Sequence, residues 1–298
     1  MRVVIFDVSN GFCALAVCNN GNSMMIDCGS HSEKVNPVDQ SKSLMASGNW
    51  LDHAKQYNAF GTNYDLTKLL ITHPDEDHIR NIERVHKELR PGILRRRHLE
   101  DFPSQSLTPN PALEYYEKHL CSRYRTTIEN QPNWAFSIKN FEVPINVLTS
   151  DERFQFGKFS NNSSIVTLLE YGGRKILFCG DIETAGWSWL LENNHAFVEA
   201  VSGGVEVHVA SHHGHKSGFP ESLFSEFGAP LLSILSKGRE FKDKTDVDSR
   251  YSRDSIGYNV KSLEKDSFDK KYSLTSRANG NVYIEFSREG QIYAFSSR

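Results

Sequence analysis

In the stretch "LLITHPDEDHIRN", Leu69–Asn81, two histidines and three acidic residues fall within the six positions from His73 to His78, directly after a run of apolar residues that favour strand. Carboxylates crowded this closely repel one another unless a cation sits among them. In an extended segment alternate side chains point the same way, so His73 and Asp75 reach one common point, with Pro74 stiffening the backbone between them. Asp77 and His78 open the helix that follows and address a second point close by. Such a donor set suits a two-metal centre, in which ions about 3.5–4 Å apart act together. Acidic residues in a first helical turn also have a plainer use, because they complement the helix dipole.

Three further segments deliver polar residues at strand ends. "KILFCGD" ends on Asp181, with the small Gly180 allowing close backbone approach; "VEVHVASHHG" ends on His212 and His213; "SMMIDCG" ends on Asp27. A "GD" pair after a strand is commonly only a turn, and paired histidines are commonly surface groups. Four strand-end clusters in one chain point instead to a shared metal site. His31, His53, His86, His98, His119, His195 and His208 lack partners at ligand spacing and read as structural or surface groups.

The elements that must position these groups are short. "RVVIF", "CALAVC" and "SMMID" read as strands, with a turn at "NNGN"; "TKLLIT" is another strand. "HIRNIERVHKELR" carries Ile79, Ile82 and Val85 at helical spacing and is stopped by Pro91 and Gly92. Residues 92–144 read as an insert or lid, with a helix in "ALEYYEKHLCSRY" and loop with one or two strands in "QPNWAFSIKNFEVP". "SIVTLLEYGGRKILFCGD" is a hairpin about its "GG", "IETAGWSWLLENN" a helix, and "PESLFSEFG" a short helix between Pro220 and Gly228. "APLLSILS", "NVYIEF" and "QIYAF" supply the last strands. Two strand-rich halves, each followed by helices, make one α/β domain over residues 1–298, a four-layer αββα sandwich.

Hydrophobic residues make up 38% of the 298 and charged residues 24%, which places the chain among globular proteins with a sizeable core. The opening "MRVVIF" shows no secretory pattern, and no apolar run approaches the roughly 18 residues of a membrane span, so a cytoplasmic protein with no membrane partner is expected. Cys13, Cys18, Cys28, Cys121 and Cys179 are an odd set without a CxxC pair, which predicts reduced, buried thiols. A net charge of −3 provides no general attraction to nucleic acid, so any polyanion would need local cations such as Arg95, Arg96 and Arg97 or the lysines near Lys237. The arginine run fits a solvated face better.

The order "HPDEDH…GD…SHHG" resembles the metallo-β-lactamase superfamily, whose signature is HxHxDH, with Asp75 standing at the second histidine. Together with "VVIFDVSNGFCALAV…MMIDCGS", "NNSSIVTLLEYGGRKILFCGDIE" and "SHHGHKSG", it is similar to the soluble hydrolase domain of the ComEC/Rec2 competence proteins. The resemblance implies that His73 and Asp75 bind a first metal, Asp77 and His78 a second, that Asp181 bridges them, and that His213 completes the second site with His212 beside it. Asn161, in "NNSS", stands where other members carry a histidine and would be a weak ligand or a phosphate donor; Asp27 would orient the cluster from behind. The usual "DVGQGDA" opening is "DVSNGFCA" here, Asp7–Ala14, with Phe12 in place of an acidic residue. Carboxylate in place of imidazole at Asp75 shifts the donor set toward oxygen, so manganese or magnesium competes with zinc for the two divalent sites.

Two divalent ions would bring the pKa of a bridging water from ~15.7 toward ~7 and provide a hydroxide able to attack phosphorus. Asp77 is expected to be essential, His212 to protonate the leaving oxygen, and Lys216 and Lys237 to grip a neighbouring phosphate. The leading expectation is a metal-dependent phosphodiesterase or nuclease acting on DNA. The alternatives are a hydrolase of a small ester, lactone or cyclic nucleotide, and a non-catalytic metal-binding interaction module. The polar segment "REFKDKTDVDSRYSRDSIGYN" reads as a surface loop, which the resemblance alone places near the site, where Tyr251 and Arg253 could touch substrate.

Overall fold

The computed structural model describes residues 1–19, 21–32, 35–47, 66–97, 107–124, 140–144, 159–238 and 248–298. Strands β1 (Arg2–Ile5), β2 (Ala14–Val17) and β3 (Ser23–Ile26) form an antiparallel meander, and β4 (Lys68–Leu70) and β5 (Ile93–Arg95) continue from β3 in parallel. Next come β6 (Asn140–Pro144), β7 (Ile165–Tyr171) and β8 (Arg174–Phe178), then β9 (Val207–Val209) and β10 (Leu232–Leu235). The chain closes with β11 (Tyr258–Ser262), β12 (Ser267–Lys271), β13 (Ser273–Thr275), β14 (Val282–Phe286) and β15 (Ile292–Ser296). The first sheet has the order β12-β11-β15-β14-β1-β2-β3-β4-β5 and the second β13-β10-β9-β8-β7-β6.

Alternation along the strands sorts side chains into layers. Val3 and Ile5, Ala14 and Ala16, and Met24 and Ile26 face inward and meet Ile165, Ile176, Phe178, Val209 and Ile234 of the second sheet in one buried core. Their neighbours Val4, Leu15 and Met25 face outward beneath Ile79, Ile82, Val85 and Leu89. On the other side Val166, Leu168 and Leu177 pack under Trp187, Leu190 and Phe197. Each such Val, Leu, Ile, Phe or Met side chain removed from water contributes roughly 1.5–3 kcal/mol. Helices outside two facing sheets are the four-layer αββα sandwich expected from the sequence.

The expected helix after the charged knot runs in three pieces, Glu76–Ile79, Ile82–Arg84 and Val85–Leu89, the last wound as a π-helical turn. Arg90 ends it in the left-handed region at φ 43°, donating its N–H to Val85 O, just ahead of Pro91 and Gly92. Within 92–144, β5 pairs with β4, β6 pairs with β7, and Leu113, Tyr116 and Leu120 of the helical stretch Pro111–Cys121 pack into the layer outside the first sheet. Residues 98–106 and 125–139 of the expected lid lie outside the described residues. No helix among the described residues is long and apolar enough to cross a membrane. Cys13, Cys18, Cys28 and Cys179 are buried free thiols and Cys121 is half-buried.

The reading of Tyr251 as a substrate contact is corrected. Asp248–Arg253 is a helix, and Tyr251 is fully buried against Phe219 and His208. Arg253 is exposed and paired with Asp254. His208 also meets Phe224 edge-on and places Nε2 3.3 Å from Cys179 Sγ, so it is structural, as its isolation in sequence implied. Burial pushes its pKa down to about 3. The unfolded chain therefore binds one more proton than the folded one between about pH 6.5 and pH 3. Stability is expected to fall as pH drops through that window, by about 1.4 kcal/mol per pH unit from this group. His208→Leu should remove that share of the slope, read from urea midpoints between pH 7 and pH 4.5.

Candidate metal centre

The polar groups emerge where β3, β4, β8 and β9 end. Asp27 follows β3, His73 and Asp75 follow β4, Asp181 follows β8, and His212 and His213 follow β9. Three of these lie in the left-handed region that non-glycine residues rarely occupy: Asp27 at φ 53°, His212 at 48° and His213 at 53°. Each such residue costs roughly 1–3 kcal/mol and persists where its surroundings over-determine it. The Asp77 turn is held from outside by backbone hydrogen bonds. Phe12 N–H donates to Asp77 O at 3.0 Å and Cys28 N–H to His78 O at 2.7 Å. The fit needs Gly11 and Gly29, because a Cβ on either would fall 2.5 and 1.5 Å, respectively, from Asp77 O.

Inside this frame His78 Nε2 lies 3.2 Å from Asp181 Oδ1 and 3.9 Å from Asp77 Oδ2. His213 Nε2 lies 3.1 Å from Asp77 Oδ2 and 3.6 Å from Asp181 Oδ2. One ligand atom from each of Asp77, His78, Asp181 and His213 falls within 4.8 Å of the others. Beside this group His73 Nε2 is 3.6 Å from Asp75 Oδ2 and 4.0 Å from Asp181 Oδ2, so Asp181 stands between the two sets.

Hydrogen bonds behind the rings decide what the nitrogens in front can do. His78 Nδ1 is 2.7 Å from Asp27 Oδ2 and must donate to it. His213 Nδ1 donates to the carbonyl of Ser236 at 3.1 Å. Thr72 Oγ1 gives its proton to Asp27 Oδ2 at 2.6 Å, so at 3.1 Å it accepts from His73 Nδ1. With each Nδ1 engaged in this way, all three rings turn Nε2 toward carboxylate oxygens, and in the neutral form that nitrogen would present a lone pair. Nε2 of His73 and of His78 is buried and makes no hydrogen bond. Acceptors facing acceptors in a dry site repel, and a cation between them reverses the sign. The residues present fit divalent metal on this ground.

Protons are the other cations that can fill the role. Burial opposes charge on His78, but Asp181, Asp27 and Asp77 outweigh it and raise its pKa well above the ordinary value. Burial would likewise lift Asp77 and Asp181, but His78 and His213 outweigh it and hold both below the usual carboxylate range. Thr72→Val should leave the ring positions occupied while loosening two of them, since it removes the hydroxyl that ties His73 to Asp27. Metal affinity is expected to fall about 10- to 100-fold, measured by competition with a chromogenic chelator.

His212 stands at the rim, with Nε2 3.9 Å from Asp181 Oδ2. Its Nδ1 lies 3.3 Å from Glu183 Oε1, an oxygen that also accepts from Ser217 Oγ at 3.0 Å and Asn161 Nδ2 at 3.3 Å. Burial works against charge on His212, and Glu183 followed by Asp181 overcomes it, so its pKa is raised. Glu183 was not singled out by sequence reasoning; its place two residues after Asp181 was the available signal. Asn161, expected as a ligand or phosphate donor, reaches Glu183 and so supports His212. Lys216 is exposed beside the histidine turn, whereas Lys237 is 5% exposed and its ammonium pairs with Asp248. Arg96 donates to the carbonyls of Arg97 and Cys121. Among the remaining histidines, His31 accepts from Arg80 and His86 meets Tyr115, while His53 and His98 lie outside the described residues.

A four-layer αββα sandwich that gathers aspartates and histidines from four strand ends at one edge defines a class of proteins built around a metal centre. Residues 7–216 match the family model of the metallo-beta-lactamase superfamily, and the chain belongs to that superfamily. A search of the curated proteins finds no match. Similar solved structures include the metallo-beta-lactamase fold protein YhfI from Bacillus subtilis, at 12% identity over 98% of this chain and 99% of that one, with a TM-score of 0.44. A diphosphatase from the PhnP family is 11% identical over 96% and 98%, with a TM-score of 0.44. CmlA, a diiron beta-hydroxylase from Streptomyces venezuelae, is 13% identical over 80% and 45%, with a TM-score of 0.42. Likeness at this level says nothing about what this chain acts on.

Proposed function

We propose that the chain is a metal-dependent phosphodiesterase that cleaves nucleic acid, with His73, Asp75 and Asp181 holding one divalent cation and Asp77, His78, Asp181 and His213 a second. The observation that carries this reading is the set of imidazole Nε2 atoms and carboxylate oxygens converging from four strand ends, a donor set that suits divalent metal. When bound, the ions would acidify a water and draw off charge developing on a phosphoryl group.

The chain's own residues do the rest. Asp27, Thr72 and the Ser236 carbonyl fix the three ring tautomers. Three nearby hydroxyls are committed, Thr72 to Asp27, Ser217 to Glu183 and Ser211 to the Ile182 carbonyl, and Ser164, which accepts from the Asp181 N–H, is buried, which favours water over a side chain as the nucleophile. Glu183 holds His212 by Nδ1, leaving a proton at Nε2 to pass to the leaving oxygen. Lys216 is the cation available for an adjacent phosphate, a role Lys237 shares less readily because Asp248 engages it. Carboxylates outnumbering imidazoles around the first ion favour a hard cation such as manganese or magnesium over zinc.

The test is hydrolysis of bis(4-nitrophenyl) phosphate, single-stranded DNA and double-stranded DNA with manganese, magnesium or zinc, beside a carboxylic ester and a lactone. Diester cleavage that is lost with chelator and restored by metal is expected, with nucleic-acid binding weakening steeply as salt rises. Turnover of the ester or lactone alone would overturn the phosphodiesterase reading. Metal binding without turnover of any of these substrates would overturn the enzyme reading.

A further inference from the structure

The layer outside the first sheet is incomplete. Helices cover the outward side chains of β1 to β4 and reach Tyr283 and Phe295, but the outward face beyond, on β15, β11 and β12, carries Phe268 at 67% and Tyr293 at 45% exposure, with Tyr272 at 42% beside them. The registers set these residues in rows. Phe268 lies opposite Lys261, Lys261 opposite Phe295, and Phe295 opposite Tyr283; in the next row Lys270 lies opposite Asn259. A groove of about 520 Å³ runs here, lined by Gly257, Asn259, Phe268, Lys270 and Tyr293 among others. Gly257, at φ 91°, makes room for it, because a Cβ there would fall 2.5 Å from Lys270 Cε and 2.8 Å from the Tyr272 ring.

Each lysine of the face is placed over a ring, Lys261 over Phe268 at 5.8 Å and Lys270 over Tyr272 at 5.2 Å. The bordering carboxylates are answered by cations, Asp266 by Lys261 at 2.7 Å, Asp269 by Lys271 at 3.5 Å and Glu285 by Arg2 at 3.9 Å. With Lys261 engaged by Asp266, a phosphate approaching the rings meets Lys270 and no uncompensated carboxylate among these. The centres of protein interfaces are depleted in lysine, whereas rings alternating with cations suit a strand of unpaired bases. The edge strand β12, "SFDKK", carries charges that discourage pairing with another strand, so the face rather than the edge is the docking element.

We infer that this aromatic and lysine face binds single-stranded nucleic acid by base stacking, at a distance from the metal centre. The inference rests on the nucleic-acid reading of the proposed function. It concerns residues beyond the part of the chain, 7–216, that matches the superfamily. β12 and β4 stand seven strand positions apart in the sheet, about 33 Å at ordinary strand spacing, so a substrate engaging both is a long strand and a small diester engages only the centre.

The test is fluorescence anisotropy of a labelled oligothymidylate of about 20 nucleotides, with chelator present so that nothing is cut. Phe268→Ala combined with Tyr293→Ala should weaken binding by about 30-fold or more, while Phe268→Trp retains it. Lys270→Gln should lower the salt dependence by about 0.7 in the slope of log affinity against log salt. None of these changes should alter turnover of bis(4-nitrophenyl) phosphate. Unchanged affinity in the double variant overturns the inference, as does a wild-type dimer that the double variant converts to monomer in sedimentation. Absence of diester turnover by the wild type is a separate failure, that of the proposed function.

Discussion

Asp181→Asn is expected to lower diester turnover on the order of 10³-fold or more. Asp181 is the group common to both halves of the centre, with His73, His78, His212 and His213 all within 4.0 Å of its carboxylate. The amide keeps the shape, loses the charge and turns one acceptor into a donor. Its nitrogen can donate to His78 Nε2, which satisfies in the metal-free chain the lone pair that a cation satisfies in the wild type. Folding of the metal-free variant should therefore survive while metal uptake fails. Divalent metal at a hundred times its dissociation constant should stabilise the wild type by about 2.7 kcal/mol and leave the variant's thermal midpoint where it was. A variant that still gains stability from metal and still turns over diester would remove Asp181 from the centre.

The second large effect comes from a residue with no chemistry of its own. Gly29→Ala is expected to destabilise the fold by more than about 3 kcal/mol and to abolish turnover even in protein recovered folded. A Cβ at Gly29 would lie 1.5 Å from Asp77 O, 2.3 Å from Asp77 C and 2.9 Å from His78 N. These are backbone atoms, so no side chain can swing aside; the junction that carries two ligands must move instead. Gly173→Ala is the matched control, at φ 73° with nothing within 4 Å, and should cost only the left-handed penalty of roughly 1–2 kcal/mol with turnover intact. Urea denaturation of both variants, read beside diester turnover, separates a clash at the centre from a general cost of losing glycine.

The two cases show what kind of information each level carries. His73, Asp75, Asp77, His78, Asp181 and His213 stood out in the sequence because each follows a short apolar run, and their convergence in space needs only that parallel strands end on one side. Thr72 and Glu183 did not stand out. A threonine at a strand end and a glutamate in a helix's approach are ordinary, and their roles appear only when Asp27 and His212 are brought against them from 45 and 29 residues away. Tyr251 was misread for the same reason: one aromatic in a polar run looks exposed until Phe219 and His208 close over it.

By itself the sequence determined most of the strands, though not β5, β11, β12 or β13, and the side chains that emerge where the site strands stop, because alternation, glycine and proline act over a few residues. Tertiary structure alone decided which nitrogen of each imidazole looks at which oxygen, that Asp77 passes within a methyl's breadth of Gly29, and that three strands after β10 were left with rings and lysines uncovered. Those outcomes depend on how two sheets settle against each other and how far the outer helices reach, and packing between distant segments leaves no periodic mark on either one.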